Sequence, residues 1–188
     1  MNAMELLTNR ASNGKLAEPA PNAEELASVF ATAVRAPDHG RLRPYRFFTV
    51  QGAAREALGA LFARIEQAAN PAATPQALEQ TSKKPLRAPL IITVAAITED
   101  HPKVPEVEQV LCAGTAAHSI LLALQALGYG AIWRTGPMSY HDQVKAAFGL
   151  RPRDSIVGFL YVGTPAAPPP QLPRPVAEAH VQTWDGPR

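Results

Sequence analysis

The chain has 188 residues, of which 46% are hydrophobic and 18% charged, a composition that folds and that can fill the core of one domain. Eighteen lysines and arginines against sixteen acids leave a net charge of +2, which reads as a small excess rather than a patch and argues against nucleic acid as a partner. The single cysteine, Cys112, excludes an intrachain disulfide. The start Met1-Asn2-Ala3-Met4-Glu5 lacks the pattern of a secretory signal, and polar residues interrupt the longest apolar runs, so the expectation is a soluble cytoplasmic protein with no membrane partner.

In chain order, Met4 to Arg10 predicts a short helix followed by a loop rich in Ala, Asn, Gly and Pro. Asn22 and Glu25 have capping-box spacing, and Leu26, Val29, Phe30 and Ala33 then recur at helical intervals. That helix must end near Ala36, because Pro37 cannot continue it. Arg46 to Val50 has the aromatic and β-branched bias of a strand, and Leu58, Leu61, Phe62 and Ile65 mark one side of a following helix. Residues 67–77 read as an irregular, mobile surface connection, and Leu90 to Ile97 as a strand.

Pro105 to Leu127 predicts a long helix with Glu106 and Glu108 at its positive end and Gly128 as its C′ residue. After Leu111 it carries Ala113, Ala116, Ala117, Ile120, Leu121, Leu124 and Leu127, with no face polar enough for water. Gly130 to Arg134 predicts a third strand, Ser139 the cap of a short helix ending near Gly149, and Ser155 to Val162 a fourth strand. There are no internal repeats, and helices intermingle with strands, which predicts one α+β domain around a short sheet over residues 1–165. Residues 166–188 are proline-rich and read as an extended arm laid over the body or over a neighbouring subunit.

Three clusters can carry chemistry. Arg10-Ala11-Ser12, followed by Asn13-Gly14-Lys15, offers a guanidinium, a hydroxyl and backbone amides for a phosphate, although a solvated helix end is the plainer alternative. Arg35-Ala36-Pro37-Asp38-His39-Gly40 places polar side chains at a helix-to-strand corner, where His39 is either a general acid or a hydrogen-bonded surface ring. Gly128-Tyr129-Gly130-Ala131-Ile132-Trp133-Arg134-Thr135-Gly136 follows a helix and enters a strand. That is the reverse of the order a dinucleotide fingerprint requires, yet the small residues after Trp133 let backbone approach a planar ligand. His101, Glu106, Glu108, Cys112 and His118 do not have the spacing of a metal site, and no nucleophile elbow is present. Cys112 reads as a packed residue.

Taken in order, Arg10-Ala11-Ser12, Arg35-Ala36-Pro37-Asp38-His39, Pro44-Tyr45-Arg46-Phe47-Phe48, Arg87-Ala88-Pro89-Leu90-Ile91-Ile92-Thr93-Val94, Gly130 to Gly136 and Ile156 to Thr164 resemble the nitroreductase family, in particular its compact branch of NAD(P)H nitroreductases. The resemblance implies a three-layer α/β/α sandwich around a short mixed sheet and a homodimer that shares two FMN sites at its interface. It implies that Arg10, Ala11 and Ser12 bind the phosphate and ribityl chain, that Arg35 and His39 contact the flavin, and that Trp133, Arg134 and Thr135 run beside the isoalloxazine. The activity implied is ping-pong transfer of hydride from NAD(P)H as co-substrate to a small electron-poor acceptor such as a nitroaromatic or quinone. The flavin carries the chemistry, with no catalytic side chain and no metal. A flavin-binding sensor or carrier without efficient turnover is the alternative. Ala11 departs from the pattern, since many relatives carry a second arginine there, and Arg174 is the one late basic residue before the C-terminus.

Overall fold

The computed structural model describes residues 2–170 and 173–187; Met1, and Gln171, Leu172 and Arg188 of the expected arm, lie outside the described residues. The first helix, α1 (Ala3–Asn9), is closed at its start by a capping box between Asn2 and Glu5. A two-residue strand, β1 (Leu16–Ala17), follows. In α2 (Ala23–Ala33), Asn22 Oδ1 accepts from the Glu25 amide at 3.0 Å while the Asn22 amide donates to Glu25 Oε2 at 2.8 Å, as the sequence predicts. Strand β2 (Tyr45–Gln51) leads into α3 (Ala53–Ala69), whose Leu58, Phe62 and Ile65 are buried.

The irregular connection expected over 67–77 narrows to residues 70–74. Helix α3 runs through Ala69, and α4 (Pro75–Ser82) begins where Thr74 Oγ1 accepts from the Ala77 amide and Pro75 fills the first turn. At the first helical position the missing N–H of Pro75 costs no hydrogen bond. Strand β3 (Leu90–Ala96) is buried throughout.

Helix α5 (Glu106–Ala126) ends in a Schellman motif. Gly128 has φ 88°, its amide donates to Gln125 O, and the Tyr129 amide donates to Leu124 O. Strand β4 (Gly130–Arg134) follows at once. Helices α6 (Pro137–Tyr140) and α7 (Asp142–Ala147) replace the single helix expected from Ser139. Ser139 lies inside α6 with its hydroxyl buried and, among the described residues, unpaired, and His141 Nδ1 caps α7 by accepting from the Gln143 amide. Strand β5 (Ser155–Pro165) is the longest.

The sheet order is β1-β5-β3-β2, with β4 also paired to β5. Every pairing among the described residues is antiparallel, which corrects the expected mixed sheet to an antiparallel one. The alternation of β3 explains the three layers. Leu90, Ile92 and Val94 face α2 and α5, while Ile91 and Ala95 face α3. Between Val94 and Ala95 the register against β5 shifts by one, so that Val157 is extra and the faces of β5 exchange there.

Helix α5 is, among the described residues, long and apolar enough to cross a membrane by length and composition alone, against the expectation of polar interruptions. Ala113, Ala116, Ala117, Ile120, Leu121 and Leu124 are instead buried in the core of this chain, whereas Leu127 is 45% exposed. The outward stripe of α5 is Val107 and Leu111, 61% and 62% exposed, then Thr115, His118 and half-buried Leu122. After Pro165 the described residues form one short 3-10 turn, Ala177–His180, and are mostly exposed, Trp184 among them.

Candidate functional site

Arg10, Ala11 and Ser12 leave the end of α1 and are stapled to β4 by Asn13. The Asn13 amide donates to Ala131 O at 2.9 Å, its Oδ1 accepts from the Lys15 amide, and its Nδ2 donates to Ala167 O at 2.8 Å. Asn13 is buried, so all this bonding is needed to offset its desolvation. Gly14 passes the Arg134 side chain closely enough that a Cβ there would lie 3.5 Å from Nη2. Arg10 and Ala11 line a narrow crevice with Leu121, Gln125 and Tyr129, and Arg174 Nη1 donates to Arg10 O at 3.1 Å. The structure thus brings the first and third clusters together.

At the end of β4, Trp133 Nε1 donates to Val157 O at 3.2 Å, on the bulged residue of β5. The Arg134 guanidinium lies 5.9 Å from the centre of the Tyr161 ring. Beyond it, Thr135 and Gly136 form one rim of a cavity of about 210 Å³ whose walls include Phe62, Met138, Phe159 and Tyr161. Lys84 and Arg87 complete the lining. Burial pushes the Tyr161 phenol up, against the pull of Arg134 and Arg87, so it remains a neutral hydroxyl. Among the described residues, no carboxylate lies within ion-pairing distance of Arg10, Arg35, Lys84, Arg87 or Arg134. An aromatic-walled cavity rimmed by unpaired cations suits a planar, electron-accepting anion. In the sequence Lys84 stands out for no site role, and Arg87 only as part of the motif before β3. Their signal was the basic run Lys83-Lys84-Pro85-Leu86-Arg87 just before a buried strand, in a region read without its helix.

The second cluster is elsewhere. Arg35 is exposed just past α2, and His39 Nδ1 donates to Glu108 Oε2 in the first turn of α5 at 2.6 Å. Leu121, beside Arg10, is thirteen residues further along that helix, about 20 Å at 1.5 Å per residue. The cavity walls also belong to the α3 side of the sheet, whereas α5 lies on the other. A single chain therefore does not unite Arg35 and His39 with Arg10, Ser12 and the cavity.

The corner itself is tightly built. The Asp38 carboxylate accepts from the Leu42 amide at 3.1 Å and the Arg43 amide at 2.7 Å. Arg41 and Arg43 have φ 57° and 50°, a left-handed conformation that costs about 1–3 kcal/mol per non-glycine residue. Charge-assisted hydrogen bonds of about 1.5–3 kcal/mol each are of the size needed to hold it.

The remaining metal-type residues are dispersed, and no group of three that could hold an ion occurs among the described residues. His101 Nδ1 accepts from the Lys103 amide, and Glu108 is bound to His39. Burial, with a smaller contribution from Asp38, pushes the Cys112 thiol up to about 11, so it stays protonated and unreactive at neutral pH.

The Nitroreductase family profile matches residues 7–164. The protein named "Putative NAD(P)H nitroreductase YdjA" of Escherichia coli K12 is 45% identical over 166 residues, covering 88% of this chain and 89% of its own. A "Putative NAD(P)H nitroreductase" of Haemophilus influenzae is 39% identical, covering 87% and 89%. The fold is that of the nitroreductase-like family protein from Bacillus cereus, with a TM-score of 0.82 at 20% identity over 99% and 97% of the two chains. A Desulfovibrio desulfuricans protein solved in complex with FMN superposes at a TM-score of 0.72 with 22% identity, covering 98% of each. With a family match from α1 to the end of β5 and two relatives near or above 40% identity, this chain belongs to the nitroreductase family of oxidoreductases.

Proposed function

We propose that the chain is a cytoplasmic homodimer that binds FMN between its subunits and passes hydride from NAD(P)H to a small electron-poor acceptor, such as a nitroaromatic or quinone, by ping-pong turnover. The observation that carries this reading is the division of the matched residues along α5. A two-fold axis near Thr115, midway along the exposed stripe that runs from Val107 to Leu122, sets the first turn of one α5 against the last third of its partner. Arg35 and His39 of each subunit then reach the Arg10–Ser12 end of the other. The exposed arm beyond Pro165 gains cover in the same way.

The residues fit that cofactor. Arg10 and Ser12 would hold the phosphate, and Arg134 with the backbone at Thr135 would hold the flavin ring. When bound, FMN supplies the redox chemistry by taking hydride from the reductant and giving it to the acceptor. Phe62, Phe159 and Tyr161 would exclude water from the adjoining cavity, and Lys84 and Arg87 would supply positive charge to favour the reduced, more negative cofactor. Names of the E. coli and H. influenzae relatives and the FMN-bound neighbour support the same cofactor pair.

The test is the visible spectrum of the purified protein, chromatography of the released ligand, and NAD(P)H oxidation with an added quinone. A yellow protein that releases FMN and turns over is expected. A protein that takes up no FMN on reconstitution overturns the proposal, and one that binds FMN without turnover is a sensor or carrier.

A further inference from the structure

One short segment of this chain is as basic as the run at 83–87 but lies at the surface corner after α2. Residues 35–46 hold Arg35, Arg41, Arg43 and Arg46 against the single acid Asp38, a formal +3 where the whole chain carries +2, so the rest sums to −1. All four arginines are exposed, and among the described residues none lies within ion-pairing distance of a carboxylate. Arg46 turns its guanidinium back on the segment, with Nη1 donating to Arg43 O at 3.1 Å and Tyr45 O at 2.8 Å.

Arg41 and Arg43 remain free, on a loop that is locked rather than loose. Both are left-handed, they flank Leu42 in the right-handed region, and Asp38 on one side and Arg46 on the other hold the backbone between them. A solvated surface loop has no need of two arginines in a conformation that glycine or asparagine adopts more readily. Fixed backbone does benefit a guanidinium that must meet a phosphate, because less freedom is lost on binding.

The loop begins at His39, which in the reading above borders the flavin. There it is within reach of the nucleotide half of a reductant whose nicotinamide meets that flavin. NADH and NADPH differ only by the 2′-phosphate of the adenosine. We propose that Arg41 and Arg43 bind this 2′-phosphate and make the enzyme selective for NADPH. The inference rests on the proposed flavin site for its location, but its first test does not depend on turnover.

Calorimetric titration of the holoprotein with 2′,5′-ADP and with 5′-AMP is expected to show that the former binds tighter by about tenfold or more, as a charge-assisted phosphate contact provides. The Arg41→Ala/Arg43→Ala variant should bind the two alike. In steady state, the variant should lose about tenfold in kcat/KM for NADPH with NADH unchanged. Reoxidation by a neutral quinone and by a carboxylated one should be unaffected. Equal affinity of the wild-type protein for the two adenosine phosphates overturns the inference. So does a loss shared equally by NADH and NADPH, which would mark a structural role, or one confined to the carboxylated quinone, which would assign the arginines to the acceptor. Absence of turnover sinks the enzyme reading alone, because the titration still stands.

Discussion

Trp133 and Gly158 are built for each other: the indole lies over the glycine with its Nε1 bonded to the neighbouring Val157 carbonyl, and a Cβ at position 158 would overlap the indole nitrogen. The β5 bulge that frees that carbonyl therefore also sets the last residues of β4, which carry Arg134 and Thr135 to the cavity rim. Gly158→Ala should displace the ring and cost about 1–3 kcal/mol, as overpacking does. In a Trp184→Phe background, Trp133 emission should shift and FMN content fall. Unchanged emission and flavin content would show that the packing does not position the site.

Arg10→Ala should weaken FMN binding more than His39→Ala. Among the described residues Arg10 has no carboxylate partner, whereas His39 is already bound to Glu108 at the surface. A phosphate contact of about 1.5–3 kcal/mol corresponds to roughly ten- to a hundredfold in Kd. Fluorescence titration of both apoproteins with FMN checks this, and equal affinities would remove Arg10 from the phosphate site.

The outward stripe of α5 is the place to test the dimer. Leu111→Glu puts a charge on an exposed position and should give a folded, monomeric, flavin-poor protein by circular dichroism and analytical ultracentrifugation, against a wild-type dimer. Ala117→Glu, which the helical pattern alone would suggest, is no test of the interface, because Ala117 is fully buried in the core of its own chain. A wild-type monomer that retains FMN would contradict both the dimer and the shared site.

Asp154 ties the start of β5 to the end of β3. It is buried, and burial alone would raise its pKa. Hydrogen bonds from Arg151 Nε, Nη2 and amide and from the Thr98 amide outweigh that and hold the carboxyl below its ordinary value. Because the folded-state pKa is depressed, the stabilisation is present above the unfolded value and is lost as pH falls through the folded one. Asp154→Ala should therefore cost about 2–3 kcal/mol at neutral pH. That margin over the variant should be full above about pH 5 and shrink steadily below about pH 4. Urea melts at pH 7 and pH 3 measure it, and a margin independent of pH would show that the ion network is not its source.

Much of this protein is written in local sequence. Asn22 with Glu25 specifies the start of α2, Gly128 the end of α5, and the apolar run at 90–96 the central strand, because capping and side-chain alternation act over a few neighbouring residues. The family was legible for the same reason, as ordered short motifs from Arg10 to Thr164. Tertiary structure decided the rest. Helix α4 starts inside the alanine- and proline-rich stretch, where Thr74 is the cap and Pro75 the first turn, and composition alone does not separate that from a loop. The antiparallel sheet depends on which strand meets which, and pairing partners lie tens of residues apart. The role of α5 shows the limit most clearly. Its composition reveals an apolar helix, but whether Ala117 or Leu111 faces outward depends on where α2 and the sheet already cover it. Lys84 and Arg87 reach the end of β4 only through the packing of the sheet against α3, a proximity that no spacing along the chain encodes.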